Sequence, residues 1–299
     1  MDLHTSVPPS RLRTFAAGPL PVLVAAALWG TTGTAASFAP ADPVSIGAAT
    51  MGFGGLLLLA LAGRSALTAA RAAGPGLLLL GALAVAVYPL AFYTSMALAG
   101  VAIGTVVALG SAPVFAALLE RWADGARLDG RWALAAALSV LGGALLITGG
   151  SPEGGGDGSV LGVLLGLLAG ATYVIYSWVA GRLMRRGHGS RAVLGALFGA
   201  GAAVLLPVLA LTGGALLRST TGVLVAGYLA LVPMGLAYVA FGAGLRRTPV
   251  RVATTLTLLE PLVAAVLGVV VVGERFGAQS WLGMALLLAG LVLAGTRRS

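Results

Sequence analysis

The chain has 299 residues, of which 59% are hydrophobic and another 46 are glycine, while only 9% are charged. Soluble globular domains contain about 25% charged residues, so this composition excludes a water-soluble fold. It also excludes intrinsic disorder, which requires low hydrophobicity. The sequence therefore predicts an all-α polytopic membrane protein.

All 18 basic residues are arginine, and the formal net charge is +9. In a soluble protein this charge would favour a nucleic-acid partner, but in a membrane protein it indicates topology, because basic residues concentrate in cytoplasmic loops. We therefore expect no nucleic-acid partner. Cysteine is absent, which excludes disulfides, thiolate metal sites and a cysteine nucleophile. No metal or cofactor is expected.

The apolar stretches predict ten transmembrane helices, since a bilayer core about 30 Å thick needs roughly 20 apolar residues per helix. The predicted spans are 20–38, 43–63, 76–97, 101–119, 132–149, 159–181, 192–213, 222–245, 250–272 and 278–295. Arginines precede the first span as in a signal peptide. That span is longer than the roughly 7–15 apolar residues of a signal peptide, so we expect it to be retained.

The arginines predict that both termini are cytoplasmic. With ten spans, only Arg218 and Arg275 fall in outward segments. The remaining arginines fall in inward segments: Arg11, Arg13, Arg64, Arg71, Arg121, Arg127, Arg131, Arg182, Arg185, Arg186, Arg191, Arg246, Arg247, Arg251, Arg297 and Arg298. Asp42, Glu153, Asp157 and Glu274 are expected outside, where water can hydrate them.

The glycine-rich, acidic stretch SPEGGGDGS at 151–159 divides the chain into halves of five predicted spans each. The predicted organisation is a cytoplasmic tail at 1–19, a first repeat at 20–150, an outer linker at 151–158, a second repeat at 159–296 and a tail at 297–299. Because each half has an odd number of spans, the second repeat must be inverted relative to the first. Inverted repeats are typical of secondary transporters with a site near the bilayer midplane. A duplication retained only for assembly is the alternative.

Matching residues support the repeat. Pro113 in APVFAAL and Pro261 in EPLVAAV lie nineteen and twenty residues before Trp132 and Trp281, which open the last span of each half. Pro89 and Pro233 form a second matched pair in the third and eighth spans. These mid-span prolines are expected to bend helices, because proline removes one intrahelical hydrogen bond. The bends are either gating hinges or static kinks.

Several segments resemble the drug/metabolite transporter superfamily, specifically ten-helix proteins with two EamA-type repeats. They are ALWGTTGTAASF at 27–38, the Pro113 segment, LLAGATYVIYSWVAGRL at 167–183 and LLEPLVAAVLGVVVVGERFGAQSWLGMALLLAG at 258–290. The first half has LLERWADGARLDGRW where the family's Gly-Glu-Arg pattern would stand. The resemblance implies ten helices around a central cavity in the inner (plasma) membrane and export of small organic solutes such as amino acids, their relatives and toxic metabolites.

Glu260 is the one ionisable residue deep inside a predicted span, near the middle of the ninth. A charge there costs about 2.5–3.5 kcal/mol on insertion scales, and such residues usually mark an ion or substrate path. Glu260 is therefore predicted to exchange a proton or to bind a substrate amine. The alternative is a neutral side chain that hydrogen-bonds a carbonyl freed by Pro261.

The predicted substrate contacts are aromatic or hydroxyl-bearing residues at membrane depth. Trp29 and Thr32 lie in a small, hydroxyl-rich stretch of the first span, although Trp29 could equally pack between helices. Tyrosine hydroxyls at this depth need partners, and the tyrosine candidates are Tyr88, Tyr93, Tyr173, Tyr176 and Tyr238. The GxxxG steps at Gly162, Gly166 and Gly170, and at Gly195 and Gly199, predict helix packing.

The sequence thus predicts a secondary transporter of amino-acid-like, amine or drug-like solutes that uses alternating access. Its partners are a substrate and the lipid bilayer, and a homodimer through the last helix of each half is an open alternative. Transport is either proton-coupled through Glu260 or an uncoupled facilitation. An enzyme is disfavoured because the predicted membrane interior offers one carboxylate and no His, Cys or Lys.

Overall fold

The protein is described by a computed structural model that covers residues 19–123, 125, 130–148, 157–245, 256–257 and 259–295. The described residues are helical and contain no β-strand. The predicted N-terminal tail, most of the linker, the loop with Arg246, Arg247 and Arg251, and the C-terminal arginines lie outside the described residues. So do Arg127 and the side chains of Pro113, Glu120, Arg131 and Trp132.

The first half contains helices α1 to α5. Helix α1 consists of Pro19–Gly30 and Thr32–Ser37, separated at Thr31. The others are α2 (Pro43–Ala62), α3 (Arg64–Ala99), α4 (Val101–Ala123) and α5 (Gly130–Thr148). The α2 helix begins at an N-cap, because the Asp42 carboxylate accepts a hydrogen bond of 2.7 Å from the Val44 N–H.

The second half contains helices α6 to α10. Helices α6 (Asp157–Arg185) and α7 (Ser190–Thr212) are continuous, and the single turn Gly214–Arg218 follows. Helix α8 comprises Thr220–Leu231, the π-helical Val232–Leu236 and Ala237–Leu245. Helix α9 comprises Leu259–Leu267 and the π-helical Gly268–Val272, and α10 is Ala278–Gly295.

Seven helical stretches are long and apolar enough to span a membrane, and they correspond to the first four and the sixth to eighth predicted spans. Shorter apolar helices occur at Ala133–Gly142, Leu259–Val272 and Ala278–Gly290, within the fifth, ninth and tenth predicted spans. The prediction of several membrane helices is thus confirmed for seven of them. The count of ten spans and the orientation of the termini stay predictions.

Helix α3 is interrupted by glycine rather than by its mid-span proline. Gly74 has φ 71° and ψ 165°, which is not helical, and Pro75 follows it directly. Pro89 lies within the helix and shows no comparable departure. The ring of Pro75 disfavours a helical conformation at the residue before it, and Gly74 can adopt the left-handed φ that residues with a Cβ avoid.

Close glycine contacts hold neighbouring helices together. A Cβ added to Gly162 of α6 would lie 2.7 Å from the Ala99 Cβ and 2.8 Å from the Ala99 nitrogen on α3. On α7, a Cβ at Gly195 would lie 3.0 Å from the Leu58 carbonyl oxygen of α2. Small residues let membrane helices approach closely, so these GxxxG glycines serve packing as predicted.

The helices of the two halves pack extensively on each other. Helix α2 packs on α7, α3 on α6 and α7, α5 on α10, and α8 on α1. Several hydroxyl groups within the helices are satisfied by a carbonyl one turn earlier. For example, Thr50 donates to the Ile46 carbonyl at 2.8 Å and Thr94 to the Leu90 carbonyl at 2.7 Å. Such bonds remove the cost of an unpaired polar group in hydrocarbon.

Replacing Gly162 with alanine is expected to destabilise the protein by about 1–3 kcal/mol, because the added methyl group overpacks the α3–α6 contact. The matched control is Gly227→Ala on α8, where a Cβ would meet nothing within 4 Å. Thermal unfolding of the purified protein should show a lower midpoint for Gly162→Ala only. Equal midpoints for the two variants would contradict the assigned packing.

Candidate functional site

Aromatic side chains from five helices form a continuous band inside the bundle, here called the aromatic band. Its members are Trp29 on α1, Tyr88, Phe92 and Tyr93 on α3, Tyr173 and Tyr176 on α6, Phe198 on α7, and Tyr238 and Phe241 on α8. Consecutive ring centroids are 5.2–6.0 Å apart, within the usual range for aromatic pairs. The band therefore brings together every aromatic residue that the sequence predicted as a substrate contact.

Tyr88 is at the centre of the band. Its ring centroid is 6.0 Å from that of Tyr173 and 5.9 Å from that of Tyr176, while Phe92 stacks on its other side at 5.4 Å. Tyr173 and Tyr176 are three residues apart, as expected for two residues on one helical face, and their centroids are 5.3 Å apart. The third and sixth helices thus present tyrosines to each other.

Trp29 lies near one end of the band, between Tyr238 and Phe241, and joins the two halves. Its indole N–H donates to the Pro233 carbonyl at 3.0 Å, and its ring meets Tyr238 edge-on at 5.3 Å. Pro233 lies in the π-helical part of α8, where the wider turn departs from the α-helical hydrogen-bond pattern. Trp29 is consequently both packed between helices and part of the band.

The two threonines after Gly30 behave differently. The Thr31 hydroxyl donates to the Leu28 carbonyl at 2.7 Å, so the Tyr228 hydroxyl, 2.7 Å away, is the donor in the second bond of Thr31. Thr32, the predicted contact, is partly buried at the start of the second part of α1. Its side chain makes no hydrogen bond with the described residues.

Glu260 lies next to the aromatic band. Its carboxylate interacts electrostatically with Tyr88, Tyr173, Tyr176 and Tyr238. Glu260 is partly buried, and its side chain forms no ion pair or hydrogen bond with the described residues. Among the described residues, Glu260 is therefore an acid without a paired cation, close to aromatic rings.

Glu260 is located in the first turn of a helix rather than mid-helix. The described helix begins at Leu259, and the Glu260 N–H donates to the Thr257 carbonyl at 3.0 Å. A carboxylate is favoured at this end of a helix dipole. Pro261 is also in the first turn, where its missing N–H removes no helical bond. It therefore frees no carbonyl of this helix for Glu260.

Helix α1 approaches α9 directly at this acid. A Cβ on Gly30 would lie 2.8 Å from the Glu260 carbonyl oxygen and 2.7 Å from the Val263 Cβ. Any larger residue at position 30 would separate the two helices. The small residues beside Trp29 therefore bring the first helix against Glu260.

Tyr93 is at the other end of the band, one ring beyond Phe92 at 5.7 Å between centroids. Its side chain is 4% exposed, and its hydroxyl lacks a hydrogen-bond partner of normal geometry among the described residues. Unlike Tyr88, Tyr93 has no electrostatic interaction with Glu260. Its predicted role as a substrate contact is therefore less direct than that of Tyr88.

Glu274 is a second partly buried acid, which sequence reasoning placed outside and hydrated. It lies between α9 and α10, and its carboxylate accepts hydrogen bonds from the N–H groups of Val101 and Ala102, the latter at 3.1 Å. Burial raises the pKa of Glu274, and the two N–H donors oppose this rise. Gly100, which precedes an apolar stretch, is a sequence signal for the start of a helix. Nothing in the sequence indicates that Glu274 caps that helix.

The described residues contain no group of three or more His, Cys, Asp and Glu side chains that could hold a metal ion. The chemistry of the site is instead that of one carboxylate, several phenols and one indole. These groups can bind an amine through charge, hydrogen bonds and ring faces.

Comparisons with known proteins agree with this helical membrane architecture. The model of the EamA-like transporter family matches residues 16–148 and 160–296. An uncharacterized transporter of Bacillus subtilis, YwfM, is 36% identical over 275 residues, covering 91% of each chain. An uncharacterized transporter of Archaeoglobus fulgidus is 30% identical over 133 residues, covering 44% of this chain and 47% of its own.

A solved crystal structure shares the fold, with a TM-score of 0.57 and 23% sequence identity over 92% of this chain and 95% of the other. The family match and the Bacillus subtilis relative identify the protein as a multi-pass membrane transporter of the inner membrane. The chain belongs to the EamA-like transporter family, within the drug/metabolite transporter superfamily.

Replacing Trp29 with phenylalanine is expected to lower stability by about 1–3 kcal/mol, because the Pro233 carbonyl loses its donor in a buried position. Trp281→Phe is the control, since Trp281 is 48% exposed. Thermal unfolding of both purified variants measures the difference. If Trp29→Phe unfolds like the control, the indole bond contributes nothing to holding α1 against α8.

Proposed function

We propose that this transporter moves small organic solutes bearing an amine by alternating access, with Glu260 as the group that binds the amine or a proton. The carrying observation is the convergence of Glu260 and the aromatic band, to which both halves of the chain contribute. Its partly exposed members, Trp29, Tyr88, Tyr173 and Tyr238, support a cavity between the helices. Export is the proposed direction because the family resemblance implies it.

The helix contacts support an inverted repeat. In an inverted repeat, each helix of the first half corresponds to the helix five places later. Helices α2, α4 and α5 each pack on their own counterpart, which is α7, α9 and α10, respectively. Under the same correspondence, the contact between α3 and α6 matches a contact between α8 and α1, and this second contact is also present. A twofold relation between the halves accounts for these pairs, and rocking of the halves about it is the proposed access change.

The surroundings of Glu260 favour a cationic group over an anionic one. The carboxylate supplies negative charge without a paired cation among the described residues. Aromatic ring faces attract ammonium groups, by about 0.5–1 kcal/mol when exposed and about 2 or more when desolvated. A substrate amine can therefore use both the acid and the rings of Tyr88 and Tyr173.

Two mechanisms use this site. In proton-coupled antiport, Glu260 carries a proton in one direction and the substrate amine in the other, so that the two compete for one carboxylate. In uncoupled facilitation, Glu260 is only a polar contact and flux follows the substrate gradient. An acid without a fixed partner is available to both ligands. Glu260 has no such partner among the described residues, which favours antiport.

A membrane-embedded enzyme is the remote alternative. Hydrolysis or group transfer needs a nucleophile, a general base and an oxyanion site that converge. Within the described part of the chain, the groups around Glu260 are aromatic rings and phenolic hydroxyls. They suit binding better than bond cleavage.

Glu260→Gln is expected to abolish acceleration of flux by a pH gradient, because glutamine cannot release a proton. The assay measures uptake of radiolabelled methylamine or phenethylamine by proteoliposomes, with and without an imposed gradient. Asp42→Asn is the matched control, since Asp42 is exposed and caps its own helix. Wild-type flux that ignores the gradient would establish facilitation, and unchanged coupling in Glu260→Gln would reject Glu260 as the coupling residue.

A thermal-shift screen of amino acids and small amines tests the substrate class. An amine ligand at about 100 times its Kd should stabilise the wild type by about 2.7 kcal/mol. The shift should disappear in Glu260→Gln and decrease in Tyr88→Phe, which removes only a hydroxyl. Stabilisation by carboxylic acids without an amine would contradict the proposed class.

A further inference from the structure

Glu274 links two parts of the chain that are distant in sequence. Its carboxylate accepts from the Val101 and Ala102 N–H groups, which belong to the first turn of α4. The first N–H groups of a helix have no partner within that helix, so the second half supplies the cap of a first-half helix. The Glu274 N–H donates back to the Gly268 carbonyl at 2.9 Å, which fixes the acid on the end of α9.

The carboxylate fits between two glycines. A Cβ on Gly100 would lie 3.0 Å from the Glu274 Oε1, and a Cβ on Gly268 would overlap the Oε2 atom. Gly100 has φ 96°, a left-handed value that permits the sharp turn from α3 into α4. Both the space and the donors for the acid are therefore built into this junction.

Neighbouring contacts make this junction a closed layer. A Cβ on Gly104 of α4 would lie 2.9 Å from the Met96 Cα of α3, and one on Gly33 of α1 would lie 2.7 Å from the Met96 Sδ. Thr105, one turn after Val101, is 3% exposed. The ends of α1, α3, α4 and α9 thus meet on one side of the aromatic band, the outer side in the predicted topology.

We propose that Glu274 is a latch that holds this outer layer closed and must release α4 when the transporter opens outward. The proposal rests on the alternating access proposed above. Glu274 is then a positioning residue that acts by joining α9 to α4. Among the described residues, its carboxylate bonds to α4 and not to the aromatic band or Glu260. Removing the carboxylate leaves the α4 N–H groups without their acceptor and favours separation.

The test measures how often the layer opens, independently of transport. The natural chain has no cysteine, so Thr105→Cys introduces a single buried thiol beneath the latch. The rate of its reaction with a water-soluble maleimide is measured on purified protein. A Ser37→Cys probe on the exposed end of α1 reports any general change in reagent reactivity.

Glu274→Ala is expected to raise the labelling rate at position 105 by about tenfold, because hydrogen bonds to a charged group are lost. Glu274→Gln keeps one acceptor oxygen and should give an intermediate rate. Asp42→Ala is the matched control, since that exposed acid caps a helix within its own half. Equal labelling rates in Glu274→Ala and Asp42→Ala would overturn the latch.

A disulfide distinguishes a latch from general loosening of the fold. The Ala102 Cβ lies 3.4 Å from the position of a Cβ on Gly268, close to the roughly 3.5–4.5 Å required for a disulfide. In Glu274→Ala, oxidation of the pair Ala102→Cys and Gly268→Cys should return labelling at position 105 to the slow rate, and a reductant should reverse this. Fast labelling despite the formed disulfide would overturn the proposal, whether or not the protein transports any amine.

Discussion

Close approach of helix backbones at glycine is the constraint on which this structure depends. Lipid tails are as apolar as leucine side chains, so helices in a bilayer gain little from hydrophobic burial and associate through packing and hydrogen bonds. Gly162 brings α6 onto α3, and Gly30 brings α1 onto the Glu260 backbone. The first contact aligns the tyrosines of α3 and α6, and the second brings the acid to them. Glycine positions therefore determine the geometry of the site.

The membrane class could be predicted from the sequence because it depends on residue type, and the same reasoning singled out the residues that the structure brings together in the aromatic band. Glu260 is conspicuous in an apolar stretch, and the tyrosines and Trp29 are rare polar groups at that depth. Their proximity depends on helix packing, which one sequence indicates only through the repeat. The family relationship and the seven long apolar helices confirm the general architecture.

The details that sequence reasoning missed are local departures from regular helix. The break in α3 is at Gly74, and a turn at Thr257 comes shortly before the first turn of α9. Apolar character alone does not show where a helix bends or is interrupted. The capping role of Glu274 was missed for a different reason: its partners lie more than 170 residues earlier in the chain. No local pattern predicts which helix end a distant carboxylate will cap.

The π-helical turn at Val232–Leu236 sets the direction in which the later side chains of α8 point around the helix axis. The Ala237 N–H bonds to the Val232 carbonyl, so this turn holds one residue more than an α-helical turn. Winding the same residues as an unbroken α-helix would advance the rest of α8 by up to about 100°, the angle of one residue. Tyr238 and Phe241 would then turn away from Trp29, although the sequence of the helix would be unchanged. The phase of one helix, rather than its hydrophobicity, thus holds two members of the aromatic band in place.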